Sequence, residues 1–72
     1  MNKEHYYTLS WDTTDKRGRK RHFTRHFTDE AKAVRKANEI DAKPGARRGK
    51  LRELECWDEG PVTHVSFIRF VM

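Results

Sequence analysis

Residues 7–27 read YTLSWDTTDKRGRKRHFTRHF, two alternating segments joined by a charged glycine turn. Alternation of apolar and polar residues is typical of half-buried β-strands. The apolar residues on the inner side are Tyr7, Leu9, Trp11, Phe23 and Phe27. A three-residue loop at 16–18 pairs Trp11 with Phe23, and Tyr7 then faces Phe27. Turn length and apolar pattern therefore agree on one hairpin register.

A helix is predicted over residues 29–42. Thr28 supplies a hydroxyl N-cap, and the acids at 29–30 lie in the first turn, where the helix dipole favours negative charge. Lys43-Pro44-Gly45 then ends the helix, because proline cannot continue it. The predicted apolar stripe is Ala31, Val34, Ala37 and Ile40. These side chains are small, so the helix can lie close to a sheet.

The whole chain, residues 1–72, is predicted to form a single small α+β domain of order β-β-α-β-β. Its parts are a hairpin at 5–27, a helix at 29–42, a basic loop at 43–50 and a second hairpin at 51–72. The last segment is apolar on both faces, which favours a central strand. The expected architecture is a four-stranded antiparallel sheet of order 2-1-4-3 with one helix packed on one face. This order leaves the basic second strand at an edge.

The positive charge is concentrated in the middle of the chain. Fourteen of the sixteen Lys and Arg residues lie between Lys16 and Arg52, together with only four acids, so this segment carries +10 and the two ends together carry −5. A basic stretch inside one small domain must form a positive face or edge, and such surfaces attract polyanions.

The first hairpin is the predicted binding element. Its cations can release counterions from phosphates, and a two-stranded ribbon fits a major groove. The predicted contacts, to nucleic acid or to an acidic protein surface, are Lys16, Arg17, Arg19, Lys20, Arg21, Arg25, Arg47 and Arg48. Cations on an edge strand also serve simply to prevent edge-to-edge pairing. The helix cations, Lys32, Arg35 and Lys36, extend this positive surface if helix and hairpin share an edge; the favoured expectation is an ordinary solvated helix face.

Nothing in the sequence indicates a reaction centre. Cys56 is the only cysteine, which excludes an intrachain disulfide and a CxxC site. His22 and His26 point the same way on a strand but lie about 13 Å apart, too far for one metal ion. We therefore expect no enzyme activity, no catalytic residue, no metal and no cofactor.

No stretch approaches the roughly 20 apolar residues of a membrane-spanning helix, and the N-terminus lacks an apolar leader pattern. The expected location is cytoplasmic, without membrane contact. One thin helix covers only one sheet face, so Tyr6, Trp57 and Phe70 are expected on the other. An open apolar face favours a partner, either a second copy in a homodimer or another protein.

The motifs DKRGRKR at residues 15–21 and FTDEA at residues 27–31 lie in a run from Tyr7 to Ile40. This run, about half of the chain, resembles the arm-type DNA-binding module at the N-terminus of many phage integrases. The resemblance implies DNA contact through Arg19, Arg21 and Arg25. The chain has one strand fewer before its helix than that family, and a second hairpin is appended.

The sequence therefore favours a small non-enzymatic nucleic-acid-binding module, of a phage or mobile element, that uses its basic hairpin. The alternative is a small protein-binding inhibitor or adaptor whose basic face docks on an acidic protein surface. A strand-then-helix pattern of this kind is also common in small phage proteins that bind host enzymes.

Overall fold

The structure is a computed structural model and describes residues 3–72. Its elements in chain order are β1 (Glu4–Thr14), β2 (Lys20–Phe27), α1 (Glu30–Asp41), β3 (Ala46–Glu59) and β4 (Val62–Phe70). The four strands form one antiparallel sheet in the order β2-β1-β3-β4, with α1 packed on one face. The α+β class, the strand count and the antiparallel arrangement are therefore confirmed.

The two sheet faces differ in what covers them. The face beneath α1, called the covered face, carries Tyr7, Leu9, Phe27 and Leu51. The opposite, open face carries the alternate residues, among them Tyr6, Leu54 and Phe70. No element of residues 3–72 packs over the open face.

The register predicted for the first hairpin is confirmed. Trp11 pairs with Phe23 across β1 and β2, and Tyr7 pairs with Phe27. The Trp11 and Phe23 rings stack with centroids 5.5 Å apart on the covered face. Aromatic pairs opposite one another on neighbouring strands help to hold a sheet in register.

The turn between β1 and β2 is closed by its own polar groups. Gly18 has a φ of 79°, and its N–H donates to the carbonyl of Asp15 (3.0 Å). The Asp15 carboxylate accepts the N–H groups of Arg17 and Arg19, both at 2.9 Å. Because these bonds fix the backbone, the Lys and Arg side chains of the turn project from a defined support.

The predicted strand order, 2-1-4-3, is wrong, because β3 rather than β4 lies beside β1. The reason is the direction of the chain. The helix returns the chain to the end of the sheet where β1 finishes, so β3 begins there and runs antiparallel to β1. The fourth strand reverses once more and is parallel to β1, so an all-antiparallel sheet excludes it from that position. The apolar β4 is consequently an edge strand.

The basic loop predicted at 43–50 is shorter than expected, since β3 begins at Ala46. Gly45 reverses the chain with a φ of 78°, and its carbonyl accepts the Thr14 N–H at 2.7 Å. Residues 46–48 then pair with residues 11–13 of β1, and a bulge near Ser10 separates them from the pairing of Leu51 with Leu9. Loop-like composition was therefore outweighed by the hydrogen bonds available beside β1.

The helix and its N-cap each lie one residue later than predicted. Asp29, not Thr28, caps it, because the Asp29 carboxylate accepts the N–H groups of Ala31 (2.8 Å) and Lys32 (3.4 Å). The buried stripe is correspondingly Ala33, Ala37 and Ile40, with Val34 partly buried, whereas Ala31 is exposed.

The core is small and lies between α1 and the middle of the sheet. Leu9 and Leu51 are cross-strand partners, and both are fully buried. The remaining core residues are Tyr7, Phe27, Ala33, Ala37 and Ile40. Three short helical side chains are thus packed against the two leucines and two aromatic rings.

Gly45 and Gly18 form a matched pair for testing the turn into β3. A Cβ at either position meets the cost of a left-handed backbone, roughly 1–2 kcal/mol. At Gly45 the new Cβ would also lie 2.8 Å from the carbonyl oxygen of Thr14, whereas at Gly18 it meets nothing within 4 Å. Gly45→Ala is therefore expected to lower the free energy of unfolding in urea more than Gly18→Ala. Equal losses would show that the Thr14 contact is unimportant.

Candidate nucleic-acid interface

The eight predicted contact cations lie in three places. Lys16, Arg17 and Arg19 are in or beside the hairpin turn, Arg21, Arg25 and Arg48 are on the covered face, and Lys20 and Arg47 are on the open face. The alternation of β2 had placed Arg21 and Arg25 beside Phe23 and Phe27, and the structure has the same arrangement.

A groove lies between the free edge of β2 and the helix. Its volume is about 210 Å³, and it is lined by Arg25, Phe27, Lys32, Arg35, Lys36 and Glu39. Four of these six side chains are cations, and one is an acid. We call this site the basic groove. It brings the helix cations next to Arg25 of the hairpin, the less favoured of the two arrangements that the sequence allowed.

Aromatic rings support two cations of the basic groove. The Arg25 guanidinium lies 4.8 Å from the centroid of Phe27, and the Lys36 ammonium lies 5.5 Å from that of Trp11. Such contacts bury the alkyl stem along an apolar surface while the charged head stays hydrated. Both charges are therefore held at the rim of the core, where Arg25 has no acidic partner in the part of the chain that the structure describes and Lys36 pairs with Glu39.

The hairpin cations have no acidic partners within residues 3–72, since none of the ion pairs there includes a Lys or Arg of residues 16–25. The nearby acids are engaged elsewhere. Asp12 binds His22 (2.6 Å), Asp15 closes the turn, Asp29 caps the helix and Glu39 pairs with Lys36 (3.5 Å). The positive potential of this edge is therefore not neutralised internally.

Arg48 differs from the hairpin cations because it forms an ion pair with Asp41. Its Nε donates to both carboxylate oxygens of Asp41, each at 3.0 Å, and so ties β3 to the last turn of α1. Arg47 is on the open face, where it lies opposite Asp12 in the register of β1 and β3. The Arg47-Arg48 pair therefore does not form one contact with the hairpin, although the two residues are adjacent in sequence.

Two of the three predicted interface aromatics lie on the open face. Tyr6 lies there with its ring 5.6 Å from that of His26, and Phe70 lies at the β4 edge. The expectation for Trp57 is wrong, because the alternation of β3 places it on the same side as Leu51. There its ring stacks on that of His64 with centroids 5.2 Å apart, outside the core cluster beneath α1. Glu53 and Glu55 had obscured the facing of this strand in the sequence.

A second polar cluster surrounds Glu53, which is only 8% exposed. His5 donates to its carboxylate at 3.1 Å and Arg69 at 2.7 Å, and Arg69 also donates to Glu30 of the helix. The His5 hydrogen bond and the Arg69 charge hold the pKa of Glu53 below its ordinary value, although burial opposes them. The hydrogen bond to Glu30 raises the pKa of Arg69.

This cluster joins β1, β3, β4 and α1, and every charged group in it already has a partner. Burial, followed by the Glu53 charge, raises the pKa of the neighbouring Tyr7 hydroxyl. A neutral phenol and a paired carboxylate do not form an activated nucleophile or base. We assign the cluster a structural role.

No three His, Cys, Asp or Glu side chains of residues 3–72 converge in a way that could hold a metal ion. The twelve-residue α1 is too short and too polar to span a bilayer, and it is the only helix in that range. Comparison with protein-family models, curated proteins and solved structures found no match to this chain.

The low pKa of Glu53 predicts a contribution to acid stability. A carboxyl whose pKa is lower in the folded state stabilises the fold above the unfolded pKa of about 4.3, and this stabilisation is lost as the pH falls through the folded pKa. Glu53→Gln should therefore lower the melting temperature near neutral pH and reduce its decline between about pH 5 and pH 2. Glu39→Gln on the exposed helix face is the control. An unaltered acid profile in Glu53→Gln would contradict this linkage.

Proposed function

We propose that this protein is a small non-enzymatic nucleic-acid-binding module that holds phosphates with its basic hairpin and basic groove. The observation that carries the proposal is the cluster of cations without acidic partners along the β2 edge, facing Lys32 and Arg35 of the helix. Free Lys and Arg side chains concentrated on one edge supply the counterion-releasing contacts that dominate nucleic-acid affinity.

The shape of the cationic surface favours a repeating polyanion over a single small anion. Arg21 and Arg25 lie on one side of β2, about 13 Å apart, and Arg19 immediately precedes the strand. The helix adds a second row across the groove. Two rows of charge along an open channel match a phosphate backbone, which carries one charge at every nucleotide.

The support beneath the cations also favours binding. The turn backbone is fixed by Asp15, and two of the four groove cations lie over aromatic rings, so less side-chain freedom is lost when a ligand is bound. An ordinary protective edge needs only charge, not a groove with positive side chains on both banks. The opposite edge strand, β4, has a single cation, Arg69, which is bound by Glu30 and Glu53.

Replacing Arg19, Arg21 and Arg25 with Ala should weaken binding to random-sequence duplex DNA at about 50 mM salt. The slope of log affinity against log salt should flatten by about two to three units, because three phosphate contacts are removed. These side chains are exposed, so the thermal unfolding of the triple variant should stay close to that of the native protein. Fluorescence anisotropy across a salt series measures both affinity and slope.

The matched control removes the same charge away from the hairpin, the basic groove and the Phe70 surface, as Lys3→Ala, Lys43→Ala and Arg47→Ala together, all three of which are exposed. This variant should retain most of the native salt slope on duplex DNA, since net charge is a weaker influence than local contacts. Equal salt slopes in both triple variants would show that net charge, not the position of the cations, determines duplex binding. Absence of duplex and single-strand binding by the native chain would reject the proposed function and favour an acidic protein partner.

A further inference from the structure

The open face carries a second array of groups that the proposed function leaves unused. One row across the strands joins Tyr6, Leu54 and Phe67, and the next joins Thr8, Arg52 and Phe70. The two phenylalanines lie at the β4 edge, where the bulge of this strand brings them onto the same face with ring centroids 4.9 Å apart. The sheet thus presents paired aromatic rings where most open antiparallel faces are polar.

The phenylalanine pair is accessible. Phe70 is 53% exposed and Phe67 is 49% exposed. Rings of this size normally contribute most when they are buried, so two neighbouring half-exposed rings form a surface suited to a ligand. Tyr6 lies two strands away, about 10 Å, with its ring beside that of His26.

Positive charge flanks this aromatic pair. The Lys50 ammonium lies 5.5 Å from the Phe70 ring centroid, and the Arg52 guanidinium lies 6.0 Å from it. Neither cation is in an ion pair within residues 3–72. The acids on this face are distant or engaged, with Glu4 beside Cys56 and Asp12 bonded to His22.

We propose that the open face is a stacking platform for unpaired bases, with Phe67 and Phe70 against the bases and Lys50 and Arg52 against the adjoining phosphates. A single-stranded nucleic acid offers a flat π-face and a negative charge at every nucleotide, which is the chemistry this surface complements. A duplex cannot use the platform, because its bases are stacked on one another. The inference builds on the proposed function and adds a preference for single strands.

A second copy of the chain matches this face less well. An isologous interface centred on Phe70 would bring Lys50 and Arg52 of both copies together, and the face offers no free acid near them. Burial of unpaired like charges opposes association. A single strand neutralises the same cations while it covers the rings.

The test compares a short oligo-dT with a duplex of equal length by fluorescence anisotropy. Phe67→Leu and Phe70→Leu together keep the site apolar while they remove the flat rings, and both positions are half exposed, so the fold should tolerate them. The double variant should lose at least about five-fold in oligo-dT affinity and should keep its duplex affinity. Val62→Ala, also on β4 and 52% exposed, is the control and should bind like the native chain.

A spectroscopic measurement provides an independent readout. Phe70→Trp should bind oligo-dT at least as well as the native chain, and its additional tryptophan fluorescence should be quenched when a base stacks on it. Trp11 and Trp57 contribute background fluorescence, which is measured on the native chain under the same conditions. Quenching by oligo-dT but not by duplex places bases on the open face.

Two outcomes would overturn the inference and leave the proposed function intact, and a third would overturn both. The first is that the double Leu variant keeps its oligo-dT affinity while duplex binding still depends on Arg19, Arg21 and Arg25. This result would limit nucleic-acid contact to the hairpin and the basic groove. A micromolar dimer that Phe70→Glu dissociates, with oligo-dT affinity unaltered, assigns the face to a second copy. Absence of all nucleic-acid binding by the native chain rejects both proposals.

Discussion

A single short helix has to cover a four-stranded sheet, and it can cover only one face. Its inward side chains, Ala33, Ala37 and Ile40, reach the central strands at Leu9 and Leu51 and leave the outer parts of the sheet uncovered. Aromatic rings therefore remain partly exposed at the rim of the core and on the open face. Both candidate surfaces depend on this shortage of covering structure, since both place cations over accessible rings.

The distribution of ion pairs makes one end of the molecule positive and the other negative. Carboxylates at the β3–β4 end pair with His5, His64 and Arg69, and those near the hairpin are used for the turn, the helix cap and His22. The long axis measures 48 Å, so the hairpin turn and the acidic β3–β4 turn lie far apart. A negatively charged ligand is therefore drawn to the hairpin end and repelled from the other.

The two edge strands have opposite chemistry. Cations along β2 keep its free backbone groups from pairing with another sheet, and the same cations provide the proposed phosphate contacts. On β4 the edge is largely apolar, and the bulge between its pairings with Glu53 and Leu54 interrupts the regular ladder. A bulge also discourages edge-to-edge pairing, and here it turns Phe67 and Phe70 onto one face.

Local patterns in the sequence determined the local structure. The alternation of residues 7–27 and the length of their turn were sufficient for the hairpin register, because a shift of one residue would move Leu9, Trp11 and Phe23 to the wrong face. Proline and glycine at 44–45 similarly located the end of the helix to within one residue. The concentration of positive charge in one segment was equally apparent.

Only the tertiary structure decided which distant residues became neighbours. Strand order followed from the direction in which the helix returns the chain, which the apolarity of β4 does not reveal. The helix cations joined Arg25 because one side of α1 lines a groove with Arg25 and Phe27 of β2, and Arg48 left the group because Asp41 came within reach. The face on which each side chain of β3 and β4 lies depends on two bulges. Each bulge reverses the alternation that a sequence pattern assumes. Sequence periodicity specifies local pairing, whereas long-range packing determines how charges and rings are grouped into a binding surface.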